Sequence, residues 1–292
     1  MDRHYDTSDI PPLVKWIPLS IQHVFAMFGA TILVPILTGL STTAALFTAG
    51  TGTLLYILLT GGKVPAFLGS SFAFIAPLIA ISAAPQYGVA YAMGGAFCSG
   101  VFYCVIAGII RCVGYGWINR VLPPVVIGSV IICIGLTLAP VAVNMASKGG
   151  GDTYNLVYLS IAAVTLVSTV FSNICLKGFF SVIPVLLGLS CGYFFTLFMG
   201  MVFPAYHLIS FEGVKTAAWI GLPTFSMPKF AFVPGVTFVI VSLATICEHL
   251  GDTLVISKVV GRNFYENPGL HRTLLGDGLA TSWASLWGGP PN

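Results

Sequence analysis

Three carboxylates, Glu248, Asp252 and Asp277, stand in stretches of sequence that are otherwise apolar. A charged side chain at the centre of a bilayer costs about 2.5 to 3.5 kcal/mol on insertion scales, so each needs a partner or a function. Glu248 and Asp252 are four apart and share one helix face, which should look into the protein or a hydrated cavity rather than lipid. His249 lies one position round. Two carboxylates a turn apart in a poorly hydrated site can take up and release protons, which suits proton coupling. The plainer reading of Glu248 is a structural hydrogen bond to a neighbouring helix.

Other polar side chains occupy apolar surroundings. Gln22 and His23 come early in the first apolar run and need partners inside a helix bundle. Each is a candidate for substrate or proton handling, although a side chain in such a place more often satisfies a helix contact. Gly69-Ser70-Ser71 interrupts the third run and marks a candidate broken helix. Non-helical backbone at membrane depth persists only where protein buries it or a cavity hydrates it, so such a break points to a binding site; small-residue packing is the alternative. Phe72 and Phe74 bracket the break, with faces that can stack on a flat heterocycle or simply fill apolar space. Asp277 lies close to Arg272 and reads as an interfacial pair outside the site.

The elements that must position these groups are membrane spans. Hydrophobic residues make up 57% of the 292 and charged residues 7%, with a mean hydropathy of +0.95, a composition that cannot form an aqueous surface. A hydrocarbon core of about 30 Å needs roughly 20 apolar residues per helix. Nine runs qualify: 16–37, 44–60, 65–81, 89–110, 124–143, 156–176, 179–203, 230–256 and a short 273–287. The acidic start, with Asp2, Asp6 and Asp9, lacks the basic region and cleavage site of a secretory signal, so the first helix should be retained. Placing the N-terminus inside puts nine basic residues on the cytoplasmic side and leaves only Lys148, Lys215 and Lys229 outside.

The seven cysteines lie in or beside apolar runs without the close pairs of metal or redox motifs, and read as small buried hydrophobes. No metal or other cofactor is implied. The net charge of +3 follows from loop bias and gives no reason to expect a nucleic-acid partner. No metal-ligand cluster or activated nucleophile is visible in the spans, which disfavours an enzyme.

An offset of 226 aligns Ile21-Gln22-His23 with Cys247-Glu248-His249, Gly50-Thr51-Gly52 with Gly276-Asp277-Gly278, and Pro65 with Pro291. It carries span one onto span eight, and an odd shift reverses orientation, so the repeat is inverted, an arrangement common among secondary transporters. A second repeat beginning near Phe230 would need more residues than remain before Pro290-Pro291-Asn292, so the chain is expected to be truncated on its C-terminal side.

Four segments together resemble the uracil permeases of the nucleobase/ascorbate transporter (uracil-xanthine permease) family. They are Ser20-Ile21-Gln22-His23 through Phe28-Gly29-Ala30, Leu68-Gly69-Ser70-Ser71-Phe72-Ala73-Phe74, Glu248-His249-Leu250-Gly251-Asp252, and Asn267-Pro268-Gly269-Leu270-His271-Arg272. The resemblance spans almost the whole chain. It implies an all-α polytopic fold of fourteen segments in two inverted sevens, of which about nine are present, with a broken helix or short strand in segment three. Segments one to four (16–111) and eight and nine (230–292) would belong to a core domain. Segments five to seven (112–203) would belong to a gate, with 1–15 a cytoplasmic lead-in and 204–229 an external connection.

The resemblance further implies that Glu248 holds a nucleobase, that Phe72 lines its face and that Ala30 contacts it. Asp252, His249, His23, Gln22 and Ser71 would couple the proton or support the site. A second pocket Glu would follow Pro291-Asn292. The implied activity is import of uracil with a proton, without covalent chemistry, by a multi-pass protein of the cell (inner) membrane. The implied partners are uracil or a related nucleobase, a proton and the lipid bilayer, and a homodimer is compatible with the family. One departure stands out: Asp252 occupies a place where uracil permeases often have His, and Gly-Asp there resembles the purine and ascorbate branches. Xanthine or another nucleobase is therefore the alternative substrate, and a non-transporting membrane fragment the alternative of a different class.

Overall fold

The computed structural model describes residues 9–149, 151–177, 180, 183–218 and 221–292, apart from the side chains of Ala26, Phe28, Asn119 and Ala205. Asp2, Arg3, Asp6 and the start of the seventh apolar run at Phe179 lie outside the described residues, as does the Phe28 side chain of the first motif. Among the described residues the structure is helical, with no strand.

Eleven α-helices follow one another: α1 Leu13–Thr38, α2 Thr42–Thr60, α3 Ile75–Ala83, α4 Val89–Val113, α5 Ile118–Val121, α6 Pro124–Lys148, α7 Leu156–Cys175, α8 Pro184–Val202, α9 Glu212–Thr216, α10 Phe232–Val260 and α11 Leu270–Leu286. Seven of them, α1, α2, α4, α6, α7, α8 and α10, are long and apolar enough to cross a membrane. The sequence expectation of nine spans differs at two places. The third run yields a non-helical segment at 65–71, a single 3-10 turn at Phe72–Phe74 and only then the short α3. The ninth is the 17-residue α11, too short to count with the others. Both differences arise where small and polar residues interrupt the apolar run.

The chain divides into two compact units. The first comprises residues 1–10, 27–135 and 223–292. In it α11 packs between α2 and α4, and α10 lies against α4 and α3. Lipid tails are as apolar as leucine, so helices in a bilayer associate through close backbone approach and buried hydrogen bonds rather than hydrophobic drive. α11 uses both. It buries Gly276, Gly278, Ala280, Thr281, Ser282, Ala284 and Ser285, and a Cβ added to Gly278 would lie 2.7 Å from the Gly100 carbonyl oxygen of α4. Trp283 Nε1 donates to Thr51 Oγ1 of α2 at 2.9 Å. Between α4 and α10, Ser99 bonds Ser242 and Tyr103 donates to Thr245, all four side chains being buried.

The second unit comprises residues 11–26 and 136–222. Here α7 and α8 pack together, with Gly188 and Gly192 of α8 facing Thr169 and Thr165 of α7. The remaining surface is broadly apolar, with Leu166, Val167, Phe194 and Phe198 exposed, as a lipid-facing wall requires.

The cysteine expectation is corrected. All seven are free, but only Cys247 is buried, while Cys112, Cys133, Cys175 and Cys191 are exposed. In a helix solvated by lipid, a small apolar side chain faces outward without penalty, so apolar context alone does not locate it inside.

Candidate functional site

Glu248 sits half-buried in the middle of α10 and accepts a hydrogen bond from Ser71 Oγ at 2.8 Å. Ser71 ends the non-helical segment and caps the 3-10 turn, with its own backbone extended (φ −79°, ψ 132°). Its hydroxyl also accepts the Ala73 N–H, and its backbone N–H donates to the Pro291 carbonyl at 3.1 Å. One residue therefore satisfies a helix start, a carboxylate and the Pro291 carbonyl at once. The Gly-Ser-Ser interruption makes this geometry, because a continued helix would commit the Ser71 amide to its own ladder.

The two phenylalanines separate in role. Phe74 is fully buried and stacks on Phe238 of α10, centroids 5.8 Å apart and planes at 14°, so it is core. Phe72 is only half-buried and directly follows Ser71. Ala30 is half-buried on α1, next to Thr31, whose hydroxyl would lie 3.2 Å from a Cβ added at Gly69. Thr31 of α1 and Gly69 of the break in segment three are thus neighbours. Asp252 is one turn along α10 from Glu248 as expected, but its side chain is exposed and stands outside the Ser71–Glu248 contact. Gln22 and His23 belong to the second unit, where Gln22 is half-buried and His23 exposed.

Asp277 corrects the sequence reading. It is not an interfacial partner of Arg272 but 6% exposed, with Oδ2 2.9 Å from His249 Nδ1. On the other side of the ring, His249 Nε2 lies 3.1 Å from Thr273 Oγ1, whose hydroxyl donates to the Leu270 carbonyl at 3.0 Å. His249 is thus held on both sides of its ring by α11 side chains, which ties α10 to α11 inside the bundle.

The sequence contained a signal for this. Thr273, Asp277 and Thr281 recur every four residues, and glycines flank Asp277 on both sides, a polar stripe on a face able to approach another helix closely. Proximity to Arg272 in the sequence masked it.

Residues 14–292 match the Xan_ur_permease family, described as the Permease family. Uracil permease of Bacillus subtilis (strain 168) is 48% identical over 293 residues, covering 97% of this chain and 65% of that protein. Uracil permease of Bacillus caldolyticus is 48% identical over 292 residues, covering 98% and 66%. Uracil permease of Escherichia coli (strain K12) is 37% identical over 292 residues, covering 99% and 66%. The chain spans just under two thirds of the length of these relatives.

Proposed function

Because this chain belongs to the Permease family, we propose that it is part of a secondary active transporter that imports uracil by proton symport, with Glu248 holding the base. The observation that carries the reading is the Ser71–Glu248 hydrogen bond, which sets an intramembrane carboxylate against a broken segment. Uracil offers N–H donors that a carboxylate accepts, and carbonyls that backbone N–H groups at a break satisfy. Ser71 donates to Oε2 of Glu248, and Oε1 is the oxygen proposed to accept from the base. Phe72 supplies an aromatic face beside it, and Ala30 a small surface on α1. Asp252, His249, His23, Gln22 and Ser71 support binding or carry the proton.

The full arrangement proposed is two inverted sets of seven segments in the cell membrane, N-terminus cytoplasmic, with nine segments falling in this chain. α3 and α11 are read as the third and ninth, and the core domain rocks against a gate to alternate access. A second copy forms a homodimer. Names of relatives support the uracil reading, and the inverted alignment of the Gln22 and Glu248 motifs supports the topology.

The test is uptake of radiolabelled uracil, with and without an uncoupler, in uptake-deficient cells expressing the full-length form of the protein. Uncoupler-sensitive uptake that falls about tenfold or more in Glu248→Gln is expected, the scale of a lost hydrogen bond to a charged group. Uptake indifferent to the uncoupler would remove proton coupling. Competition by xanthine equal to that by unlabelled uracil would remove the uracil assignment.

A further inference from the structure

The segment Asn267 to Arg272 has no part in the proposed transport, yet it builds a second site. Arg111 stands in the last turn of α4, and His271 and Arg272 in the first turn of α11, just ahead of the apolar run at 273–287. These three side chains converge on a cleft of about 510 Å³ whose apolar wall includes Leu58 and Leu59, from the end of α2, and Leu275. Among the described residues, no carboxylate lies within 4 Å of either guanidinium.

Three features shape this cleft for an anion. The Arg111 and Arg272 charges both bear on His271, so like charges crowd one cleft. His271 and Arg272 sit at a helix N-terminus, where the macrodipole already contributes positive potential and disfavours cations. The His271 ring is held in place by a backbone that only glycine supports. Gly269 has φ +104°, and a Cβ there would come within 2.7 Å of the ring. Guanidinium forks match phosphate oxygens in pairs.

We propose that this cleft binds a phosphate group, with Arg111 and Arg272 on its oxygens and His271 alongside. Both guanidiniums cap ends of helices whose apolar stretches lie on one side of them, so the cleft sits at the boundary of the hydrocarbon layer. The phosphate has two sources with the same chemistry, the headgroup of an anionic phospholipid and the free ion. The leucine wall accommodates the first acyl carbons of a lipid, and basic pockets between membrane helices are suited to such headgroups.

The experiment is thermal unfolding of the full-length protein in a neutral detergent, titrated with phosphatidylglycerol, phosphatidylcholine or inorganic phosphate. Phosphatidylglycerol should raise Tm by several degrees, as a ligand of the folded state does, and phosphatidylcholine should not. A matching rise with inorganic phosphate identifies the free ion as sufficient; a rise with phosphatidylglycerol alone identifies the lipid. The double variant R111Q/R272Q should lose the shift. Should it fold poorly, R111K and R272K, which keep the charge but lose the fork, should retain less phosphatidylglycerol than the parent in native mass spectrometry. No shift with either phosphate source overturns the proposal, as does an undiminished shift in the double variant or an equal shift with phosphatidylcholine.

Discussion

His249 Nδ1 stands 2.9 Å from Asp277 Oδ2, so the residue next to the candidate substrate carboxylate is held to a different helix. Glu248 is therefore oriented from two sides, by Ser71 directly and by its own neighbour's anchor on α11.

Removing one half of that anchor leaves the other buried without its partner. Asp277→Ala is expected to cost about 3 to 5 kcal/mol, the scale for breaking a buried pair. It should show as a sharply lower Tm and poor recovery of folded protein. His249→Leu combined with Asp277→Leu should recover much of that loss, since an apolar replacement of the whole pair strands no polar group. An Asp277→Ala protein as stable as the parent would contradict this burial and pairing.

Ser71 and Glu248 should be energetically coupled in ligand binding. Ser71→Ala is expected to weaken uracil binding by roughly tenfold, corresponding to one hydrogen bond to a charged group. In a Glu248→Gln background the same change should matter much less. Equilibrium binding of labelled uracil to the four proteins of the cycle measures the coupling, and strict additivity would separate the two residues.

The α4–α11 contact should be intolerant of even one methyl group. A Cβ at Gly278 meets the Gly100 carbonyl at 2.7 Å and the Tyr103 side chain at the same distance, whereas one at Gly108, also on α4, meets nothing within 4 Å. Gly278→Ala should destabilise by about 1 to 3 kcal/mol, as overpacking does, and Gly108→Ala should not. Thermal unfolding of the two variants side by side decides the point.

His271 predicts a pH dependence. Burial, followed by the charges of Arg111 and Arg272, pushes its pKa below the ordinary value of 6.5. The unfolded chain therefore binds this proton more readily than the folded protein. Stability is unaffected by His271 above about pH 6.5 and falls as pH drops through that value towards the folded pKa. His271→Gln should flatten that part of a Tm-against-pH profile. A profile of equal steepness in the variant would assign the acid sensitivity to other groups.

How much of this was readable depends on range. Long apolar runs announced α1, α2, α4, α6, α7, α8 and α10, because about 20 residues of hydrocarbon preference need no tertiary context. Gly69-Ser70-Ser71 announced the break, since glycine and serine together weaken a helix in the middle of an apolar run. The Pro291 carbonyl that receives the Ser71 amide gave no sign, being a backbone group joined across the whole sequence. Asp277 was misplaced for the same reason: local charge proximity favoured Arg272, while the fold offered His249 on another helix. Phe72 and Phe74 were indistinguishable by type and spacing, and only the presence of Phe238 opposite one of them assigns it to the core.

The Phe74–Phe238 pair also limits which parts of the site can give way. The rings lie nearly parallel between the start of α3 and α10, immediately on the helical side of Ser71. They act as a clamp on that side, while on the other the Leu68 amide donates to Thr53 Oγ1 of α2 at 3.0 Å and the Ser71 amide to the Pro291 carbonyl. Ser71 is thus braced from both sides of the break, so releasing Glu248 asks for a turn of the Ser71 hydroxyl about its own side-chain bond rather than a shift of the backbone.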